Sequence, residues 1–227
     1  MRASAIEFDM ESASSATPDF NRLAPIYCWM EWLTFGPLLQ RCRCAFLSTL
    51  ARHRRALVLG DGDGRFTACL LQENCAVSVD AVDASQAMLR QLSGRSPASR
   101  VRTHVADTRT FSPPRSDYDL IATHFFLDCL SSTEVRDLAR RLRDHSSRNA
   151  VWVVSEFVIP SNLFGRIVAH PVISALYLAF GLLTNLEIRK LPDHRAALAQ
   201  SGWSLARQHK RLAGLLVSEL WQLGSEI

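Results

Sequence analysis

Short apolar runs alternate along the middle of the chain with segments in which apolar residues recur every three or four positions. The short runs are rich in β-branched residues and predict buried strands at 56–59, 76–82, 101–105, 118–126 and 150–157. The segments with helical spacing predict amphipathic helices at 66–73, 85–92 and 133–144. Because strands that alternate with helices form βαβ units, the pattern indicates an α/β domain with a mostly parallel sheet and helices on both faces.

The pattern changes near the end of the chain, where a helix is followed by two strands with no helix between them. Asp193 is the expected N-cap of this helix, and Gly202 is expected to end it. The sequence "SLARQHKRLAGLLVSELW" then predicts two strands that turn around Ala213-Gly214. Strands joined by a short turn must pair antiparallel, so the predicted sheet has seven strands and is mixed at one edge.

The regions outside this alternation are interpreted as additions to a core domain at 53–227. Residues 1–18 have no clear period and are interpreted as a loose tail. Residues 19–52 have helical spacing, and Gly36-Pro37 divides them into two helices that we expect to cap the domain.

An apolar segment at 163–190 interrupts the core domain and is the one place where a membrane span has to be considered. Its most apolar part, 167–183, is broken early by His170 and Pro171, which leaves about 13 uninterrupted residues against the ~20 that a bilayer requires. We therefore predict a cap insert rather than a transmembrane segment. A membrane-surface contact stays open as an alternative.

Composition and charge narrow the class of protein. The chain has 227 residues, 48% hydrophobic and 21% charged, as expected for a globular domain with a sizeable core. The net charge of +4 comes from scattered arginines, so we expect no nucleic-acid partner. The six cysteines form no CxxC pair, which argues against a metal site. Acidic residues at the N-terminus do not fit a secretory signal, so we expect a cytoplasmic protein with reduced thiols.

Polar residues follow the predicted parallel strands at the points where they end. The first strand ends in the glycine-rich turn 60–64, the second in Asp83, the third near Asp107 and the fourth in Thr123-His124. In an open parallel sheet, ligands bind at the carboxyl ends of the strands. The sequence therefore predicts a ligand pocket at this edge.

The spacing of the glycines narrows the ligand. In the dinucleotide fingerprint G-x-G-x-x-G, counted from Gly60, the third glycine would fall on Arg65, and the chain has G-x-G-x-G instead. Asp83 lies 19 residues after Gly64, a spacing that suits a carboxylate accepting from ribose hydroxyls. Aspartates within the turn disfavour a pyrophosphate but tolerate a cation. A ligand with a ribose, an adenine and a positive charge fits this pattern.

The order of these motifs resembles the class I S-adenosylmethionine-dependent methyltransferases. The resemblance rests on "LVLGDGDGRF" (57–66), "VDASQAML" (82–89), "ADTRTF" (106–111) and "YDLIATHFFLDCL" (118–130), and it covers about 57–221. The antiparallel pair at the end is similar to that family's reversed last strand. "VVSEFVIP" and the apolar insert resemble, more loosely, the quinone-biosynthesis C-methyltransferases.

The resemblance implies a Rossmann-like sheet, S-adenosylmethionine as cofactor and a set of site residues. The implied cofactor contacts are Gly60, Asp61 and Gly62 at the methionine part, Asp83 at the ribose, Ala84, Met88, Asp107 and Thr108 at the adenine, and Thr123 and His124 near the sulfonium. Tyr27, Phe125 and Glu156 are predicted to face the acceptor. One position departs from the family: the acidic residue expected two positions before the first glycine is Val58 here.

Several of these residues also have a structural interpretation. The glycine turn alone would fit a tight strand-to-helix connection, and Asp107 alone would fit a turn cap. His124 is the candidate general base, or else a residue of the pocket wall. Asp128 either orients His124 or caps the helix that follows, and Glu156 either contacts the acceptor or is a solvated strand end.

The predicted function is methyl transfer from S-adenosylmethionine to a small acceptor, with S-adenosylhomocysteine as product. The apolar insert favours an apolar or aromatic acceptor. One alternative is a methyltransferase fold that holds the cofactor without catalysis, which Val58 favours. The other is a protein or nucleic-acid methyltransferase, against which stand the absence of a basic stripe and the sequence T-H-F-F at the end of the fourth strand.

Overall fold

The structure is a computed structural model that describes residues 37–160 and 191–224, and its centre is one seven-stranded sheet. In chain order the strands are β1 (Arg55–Leu59), β2 (Ser78–Asp83), β3 (Val101–Val105), β4 (Tyr118–His124), β5 (Ser146–Phe157), β6 (Trp203–Arg211) and β7 (Leu216–Leu223). Their spatial order is β3-β2-β1-β4-β5-β7-β6. The strand order reverses between β1 and β4, so the carboxyl ends of these two strands open at the switch point where ligands bind.

Strand direction divides the sheet into a parallel part and a reversed edge. The neighbours β3-β2-β1-β4-β5 all pair parallel, with Leu59 opposite both Val82 and Thr123. The last strand, β7, pairs antiparallel with both β5 and β6. The predicted α/β class, the seven strands and the reversed last strand are confirmed.

Helices cover the two faces of the sheet because side chains alternate along each strand. The helices are α1 (Leu38–Arg43), α2 (Arg65–Glu73), α3 (Gln86–Arg95), α4 (Ser132–Asp144) and α5 (His194–Gln200). On one face Val58 and Ala122 pack with side chains of α2 and α3. On the other face Leu57 and Trp152 pack with side chains of α4 and α5.

Two details differ from the sequence-based expectation. Strand β5 begins at Ser146 rather than at residue 150, because the polar residues 146–149 continue the strand. The prediction that Asp128 caps the following helix is wrong, because Ser131 is the N-cap of α4. Its side chain accepts from Glu134 N, and the Glu134 carboxylate accepts from Ser131 N in return. This reciprocal pair satisfies two helix-end donors at once, which a single aspartate further upstream cannot do.

Some predicted regions lie outside the described residues. These are the tail 1–18, most of the N-terminal cap with Tyr27, and the apolar insert 163–190. The second cap helix does begin directly after Pro37, as the Gly36-Pro37 break predicts. Across the described ranges, no helix has both the length and the apolar character to cross a bilayer.

Candidate active site

The glycine turn after β1 is held in a conformation that few other residues adopt. Gly60, Gly62 and Gly64 all have positive φ angles, of 64°, 57° and 82°. This left-handed region is open to glycine without steric penalty. The alternation of glycines in the sequence therefore has a direct backbone cause, and α2 begins immediately after the turn.

Two of these glycines are also required by close packing. A Cβ on Gly60 would lie 2.2 Å from the ring of Phe126, and a Cβ on Gly64 would lie 2.8 Å from the Leu92 Cα in α3. Phe126 thus covers the backbone at Gly60, for which the sequence predicted either a ligand contact or a tight strand-to-helix turn. Gly64 brings α2 and α3 together.

The two aspartates of the turn are bound within the protein. The Asp61 carboxylate accepts from the backbone amides of Phe66 at 3.3 Å and Thr67 at 2.8 Å, so it caps the N-terminus of α2. Burial raises the pKa of Asp61, although these hydrogen bonds act in the opposite direction. Asp63 forms ion pairs with Arg65 and Arg95, each at 3.0 Å.

Asp83 joins the end of β2 to the glycine turn. Its carboxylate accepts from the Ser85 amide at 2.8 Å, and the nearby Gly62 amide favours its charged form. Burial raises the pKa of Asp83 to about 6, and the nearby Asp61 carboxylate adds to the rise. A carboxylate has about four acceptor positions, so Asp83 keeps capacity for further donors. It also holds the turn in place where the family's expected acid is replaced by Val58, which packs in the core.

The residues after Asp83 begin α3. Ser85 is the N-cap, and its hydroxyl accepts from Met88 N. Ala84 is exposed beside the turn, whereas Met88 is buried against the sheet. Of the two predicted adenine contacts, Ala84 therefore lies at the surface and Met88 is buried beneath it.

Asp107 forms a turn after β3. Its carboxylate accepts from the Arg109 amide at 2.9 Å and pairs with the Arg109 guanidinium at 3.2 Å. The structural interpretation of Asp107 as a turn residue is therefore correct, and its remaining lone pairs leave a ligand role open. Thr108 is buried beside it.

The end of β4 carries Thr123 and His124, whose side chains point to opposite faces of the sheet. Thr123 is fully buried, and its hydroxyl accepts from Trp152 Nε1 at 2.9 Å. The ring of His124 packs on Phe66 with a centroid distance of 4.3 Å. His124 Nδ1 lies 3.0 Å from Ser155 Oγ, so Ser155 orients this ring.

The hydrogen bonds of Ser155 assign the tautomer of His124. Ser155 Oγ donates to the Cys42 carbonyl at 3.1 Å, so it accepts from Nδ1–H of His124. Nε2 is then the bare nitrogen, and it has no hydrogen-bond partner among residues 37–160 and 191–224. Burial, together with the Arg43 charge, lowers the pKa of His124 well below its ordinary value, so the ring is neutral.

A strained turn follows β4. Phe125 has φ of 53°, which is uncommon for an aromatic residue and marks a backbone conformation held by its surroundings. Its ring packs on Phe157 at 5.0 Å, and the Arg43 guanidinium lies 5.3 Å from the ring centroid. Sequence reasoning missed Arg43, because a lone arginine at the end of a helix is indistinguishable from a solvated one.

Glu156 holds this turn from the neighbouring strand. Its Oε1 accepts from the backbone amides of Phe126 at 3.1 Å and Leu127 at 2.8 Å, at the start of a 3₁₀ turn (Leu127–Cys129). Its Oε2 is buried and has no hydrogen-bond partner in the described part of the chain. Burial raises the pKa of Glu156 well above its ordinary value, and the Asp128 carboxylate adds to this. The interpretation of Glu156 as a solvated strand end is therefore wrong.

The parallel register places these groups along one edge of the sheet. Gly62, Asp83 and Asp107 follow the adjacent strands β1, β2 and β3, and Phe125 and Glu156 stand at the ends of β4 and β5. Asp128 is buried in the 3₁₀ turn beside Glu156. The ligand of this edge would meet carboxylates on the β1–β3 side and aromatic rings on the β4–β5 side.

Comparison with known proteins agrees with this arrangement. A family model described as "Methyltransferase domain" matches residues 56–148, which span β1 to the start of β5 and include the glycine turn, Asp83 and Asp107. No curated protein matches the chain.

Solved structures share the fold at low sequence identity. A Nostoc punctiforme protein assigned as an O-methyltransferase has a TM-score of 0.71 at 16% identity, over 94% of this chain and 64% of its own. An O-methyltransferase family protein from Burkholderia thailandensis has a TM-score of 0.67 at 14% identity, over 94% and 66%. An S-adenosylmethionine-dependent methyltransferase from Mesorhizobium loti has a TM-score of 0.62 at 16% identity, over 80% and 97%.

The chain spans 64% of the length of the Nostoc protein and 66% of the Burkholderia protein, less than two thirds of each. Residues 56–148 thus match a methyltransferase domain, and the chain shares its fold with solved structures of S-adenosylmethionine-dependent methyltransferases.

Proposed function

We propose that the chain transfers a methyl group from S-adenosylmethionine to a small acceptor that is apolar or aromatic. The observation that carries the proposal is the half-buried Asp83 carboxylate, which accepts from the Ser85 amide and retains acceptor capacity beside the glycine turn. A carboxylate at this point of the fold is suited to accept hydrogen bonds from both ribose hydroxyls.

The cofactor would be held by groups that fit its chemistry. Asp61 and Asp83 lie close enough for each charge to raise the other's energy, so a cationic ligand would relieve that repulsion. Gly60, Asp61 and Gly62 would line the methionine part through their backbone. When bound, S-adenosylmethionine supplies a methyl group activated on a sulfonium sulfur.

The adenine side would be built from the turns after β2 and β3. Ala84 and Met88 would flank the ring on one side, and Asp107 would accept from its amino group with the Thr108 backbone beside it. Thr123 would contribute to the pocket floor through its backbone, because its hydroxyl already accepts from Trp152. The protein's contribution to catalysis is then orientation of the donor against the acceptor.

The acceptor would lie at the ends of β4 and β5. The rings of Phe125 and Phe157 form an apolar wall there. The apolar composition of 163–190, which lies outside the described residues, also favours an apolar acceptor. Glu156 would offer its free Oε2 to a polar atom of the acceptor, and Tyr27 remains a candidate contact. Apolar walls with a few convergent polar groups are typical of small-molecule sites.

A proton has to leave only if the acceptor atom carries one. His124 Nε2 is the candidate base, because it is the bare nitrogen of a neutral ring. Its lowered pKa makes it a weak base, so its contribution to the rate would be modest. Asp128, buried beside Glu156, is the second candidate group for proton transfer.

Calorimetric titration with S-adenosylmethionine and S-adenosylhomocysteine tests the cofactor assignment. We expect binding by the wild-type chain, loss of binding in Asp83→Ala, and unchanged binding in Asp137→Ala, an exposed aspartate of α4. A labelled-cofactor screen of phenols, quinols and fatty-acid-like compounds then tests the acceptor class. Turnover only on polar amines or on protein would contradict the acceptor proposal.

A non-catalytic cofactor-binding module is the second candidate. Val58 in place of the family's acid and the Phe126 ring over Gly60 both favour it. Binding without turnover on any acceptor class would support this alternative. Turnover on nucleic acid or protein would instead support the third candidate, a protein or nucleic-acid methyltransferase.

We place the enzyme in the cytoplasm, because the described cysteines are all free thiols.

A further inference from the structure

The turn after β3 is fastened to α4 by one arginine. The Nη1 atom of Arg141 donates to the carbonyls of Thr108 at 3.0 Å and Phe111 at 2.7 Å, and its Nη2 donates to the carbonyl of Arg109 at 2.8 Å. A single half-buried guanidinium thus satisfies three backbone acceptors within four consecutive residues. Such charge-assisted bonds in a planar fork are stronger and more directional than neutral ones.

A second anchor joins the same two elements. Arg109 within the turn pairs with Glu134 at 2.8 Å, and Glu134 belongs to the capping box at the start of α4. The turn is therefore held near both ends of the helix, by Glu134 in the first turn and by Arg141 in the last. Since α4 is packed into the core through Val135, Leu138 and Leu142, these anchors transmit a rigid position to the turn.

The group that this arrangement positions is the Asp107 carboxylate. Asp107 opens the turn, and its carbonyl accepts from the Phe111 amide at 2.8 Å, so the turn closes back on it. The Arg109 amide binds the Asp107 carboxylate directly. Fixing the carbonyls of Thr108, Arg109 and Phe111 consequently fixes the direction in which Asp107 presents its free lone pairs.

We propose that Arg141 is a positioning residue for base recognition: it orients the Asp107 turn so that the enzyme distinguishes an adenine amino group from a keto oxygen. The inference rests on the proposed function, in which Asp107 accepts from the adenine amino group. Arg141 itself does not touch the cofactor. Its role is to keep the Asp107 carboxylate, a hydrogen-bond acceptor, aligned with the adenine amino group, which is the donor on that edge of the base.

Calorimetry with two ligands separates this role from a general structural one. S-Adenosylhomocysteine carries the amino donor, and S-inosylhomocysteine carries an oxygen in its place. We expect the wild-type enzyme to prefer the adenosyl ligand by about a hundredfold, since a site built for a donor rejects an analogue without it. In Arg141→Met we expect adenosyl affinity to fall by about tenfold while inosyl affinity changes little, so discrimination decreases.

The helix supplies a matched control and a milder variant. Arg140→Met changes the adjacent arginine, which is exposed and pairs only weakly with Asp137, at 3.9 Å, so we expect both affinities to stay unchanged. Glu134→Gln preserves the capping box but breaks the ion pair with Arg109, and it should reduce discrimination by a smaller factor. It keeps the proposal testable if Arg141→Met does not fold.

The outcomes distinguish the two proposals. Absence of binding of either ligand by the wild-type enzyme would overturn the proposed function, and the inference with it. Adenosyl binding without preference over inosyl would overturn the adenine role of Asp107. Two further outcomes would overturn the role of Arg141. In the first, the wild-type enzyme discriminates but Arg141→Met weakens both ligands equally. In the second, Arg141→Met does not fold and Glu134→Gln discriminates as well as wild type.

Discussion

At the scale of single residues, Asp83 combines a structural task with its proposed role in ligand binding. Its carboxylate accepts from the Ser85 amide at the start of α3, yet burial raises its pKa to about 6. The ionised form is therefore disfavoured in the folded protein, although the proposed ribose contact uses it. Functional residues commonly carry such a stability cost.

Stability should respond to pH through Asp83. Its folded pKa is raised, so its stabilising contribution is full below its unfolded pKa and is lost as the pH rises through about 6. Asp83→Asn should therefore be more stable than wild type at pH 7.5, by about 3 kcal/mol at most, with a smaller difference at pH 5. Urea denaturation at both pH values measures this. An equal effect of the substitution at both would show that Asp83 has an ordinary pKa.

Gly60 should tolerate no side chain. Alanine there would overlap the Phe126 ring and adopt φ near +64°, so Gly60→Ala should cost about 2–4 kcal/mol. Gly94→Ala is the matched control, because that helical glycine has open space around it and the change should be neutral or stabilising. Chemical denaturation compares the two. If Gly60→Ala combined with Phe126→Ala regains nothing, the contact with Phe126 is not the cause.

At the scale of elements, the turn after β4 depends on its neighbour β5. The left-handed Phe125 begins this turn, and Glu156 binds the amides of Phe126 and Leu127 that follow. The amides at the start of a helical turn have no partner inside the turn, so an acceptor from another strand stabilises it. This edge of the sheet is thus held by contacts between strand ends.

Substitutions at Glu156 should reveal its protonation state. Burial and the Asp128 carboxylate raise its pKa and so favour a neutral carboxyl, which glutamine matches in shape and charge. Glu156→Gln should change stability at pH 7 by less than about 1 kcal/mol, whereas Glu156→Ala should cost about 2–4 kcal/mol by leaving two amides without an acceptor. Thermal and urea unfolding measure both. A glutamine as costly as alanine would indicate an ionised Glu156.

The elements of this fold were largely predictable because their signals are local. The alternation of apolar runs and helical spacing predicted every parallel strand, and Ala213-Gly214 predicted the turn between β6 and β7. The true helix cap also has a local signal, Ser131 followed by Glu134 three positions later, which is the pattern of a capping box. The location of the candidate site was also predictable, because its polar residues follow the parallel strands. Parallel strands bring their carboxyl ends to one edge of the sheet.

Contacts between distant segments were not predictable. Ser155 orients His124 across 31 positions, and Arg141 reaches back to Thr108 across 33. Nothing in hydrophobic periodicity distinguishes these residues from other serines and arginines on the same elements. The covering of Gly60 by Phe126 likewise depends on the turn after β4, which no local pattern specifies.

At the scale of the whole molecule, one buried carboxylate ties the reversed edge of the sheet to its helix. Glu219 on β7 is fully buried and accepts from His194 at 3.1 Å and Arg195 at 2.6 Å, both in α5. It also accepts from Gln208 on β6 and Trp221 on its own strand, at 2.9 Å each. These bonds lower the pKa of Glu219 to about 2, although burial alone would raise it.

Loss of Glu219 should loosen this edge and change the acid stability of the protein. Because its folded pKa is lowered, its contribution of about 3 kcal/mol is present above its unfolded pKa and is lost as the pH falls toward 2. Glu219→Gln should destabilise at pH 7, since one amide oxygen cannot serve four donors. Its free energy of unfolding should also fall less steeply than that of wild type between pH 5 and pH 3.

Asp137→Asn on the exposed face of α4 is the control for Glu219→Gln. Its ion pair with Arg140 is solvated, so the substitution should change the free energy of unfolding by less than about 0.5 kcal/mol at pH 7 and at pH 3. Hydrogen exchange adds the spatial test: in Glu219→Gln the amides of β6 and α5 should lose protection, whereas those of β1 and β2 should keep theirs. Equal loss across the sheet would mean that the reversed edge does not open independently, and that Glu219 stabilises the molecule as one cooperative unit.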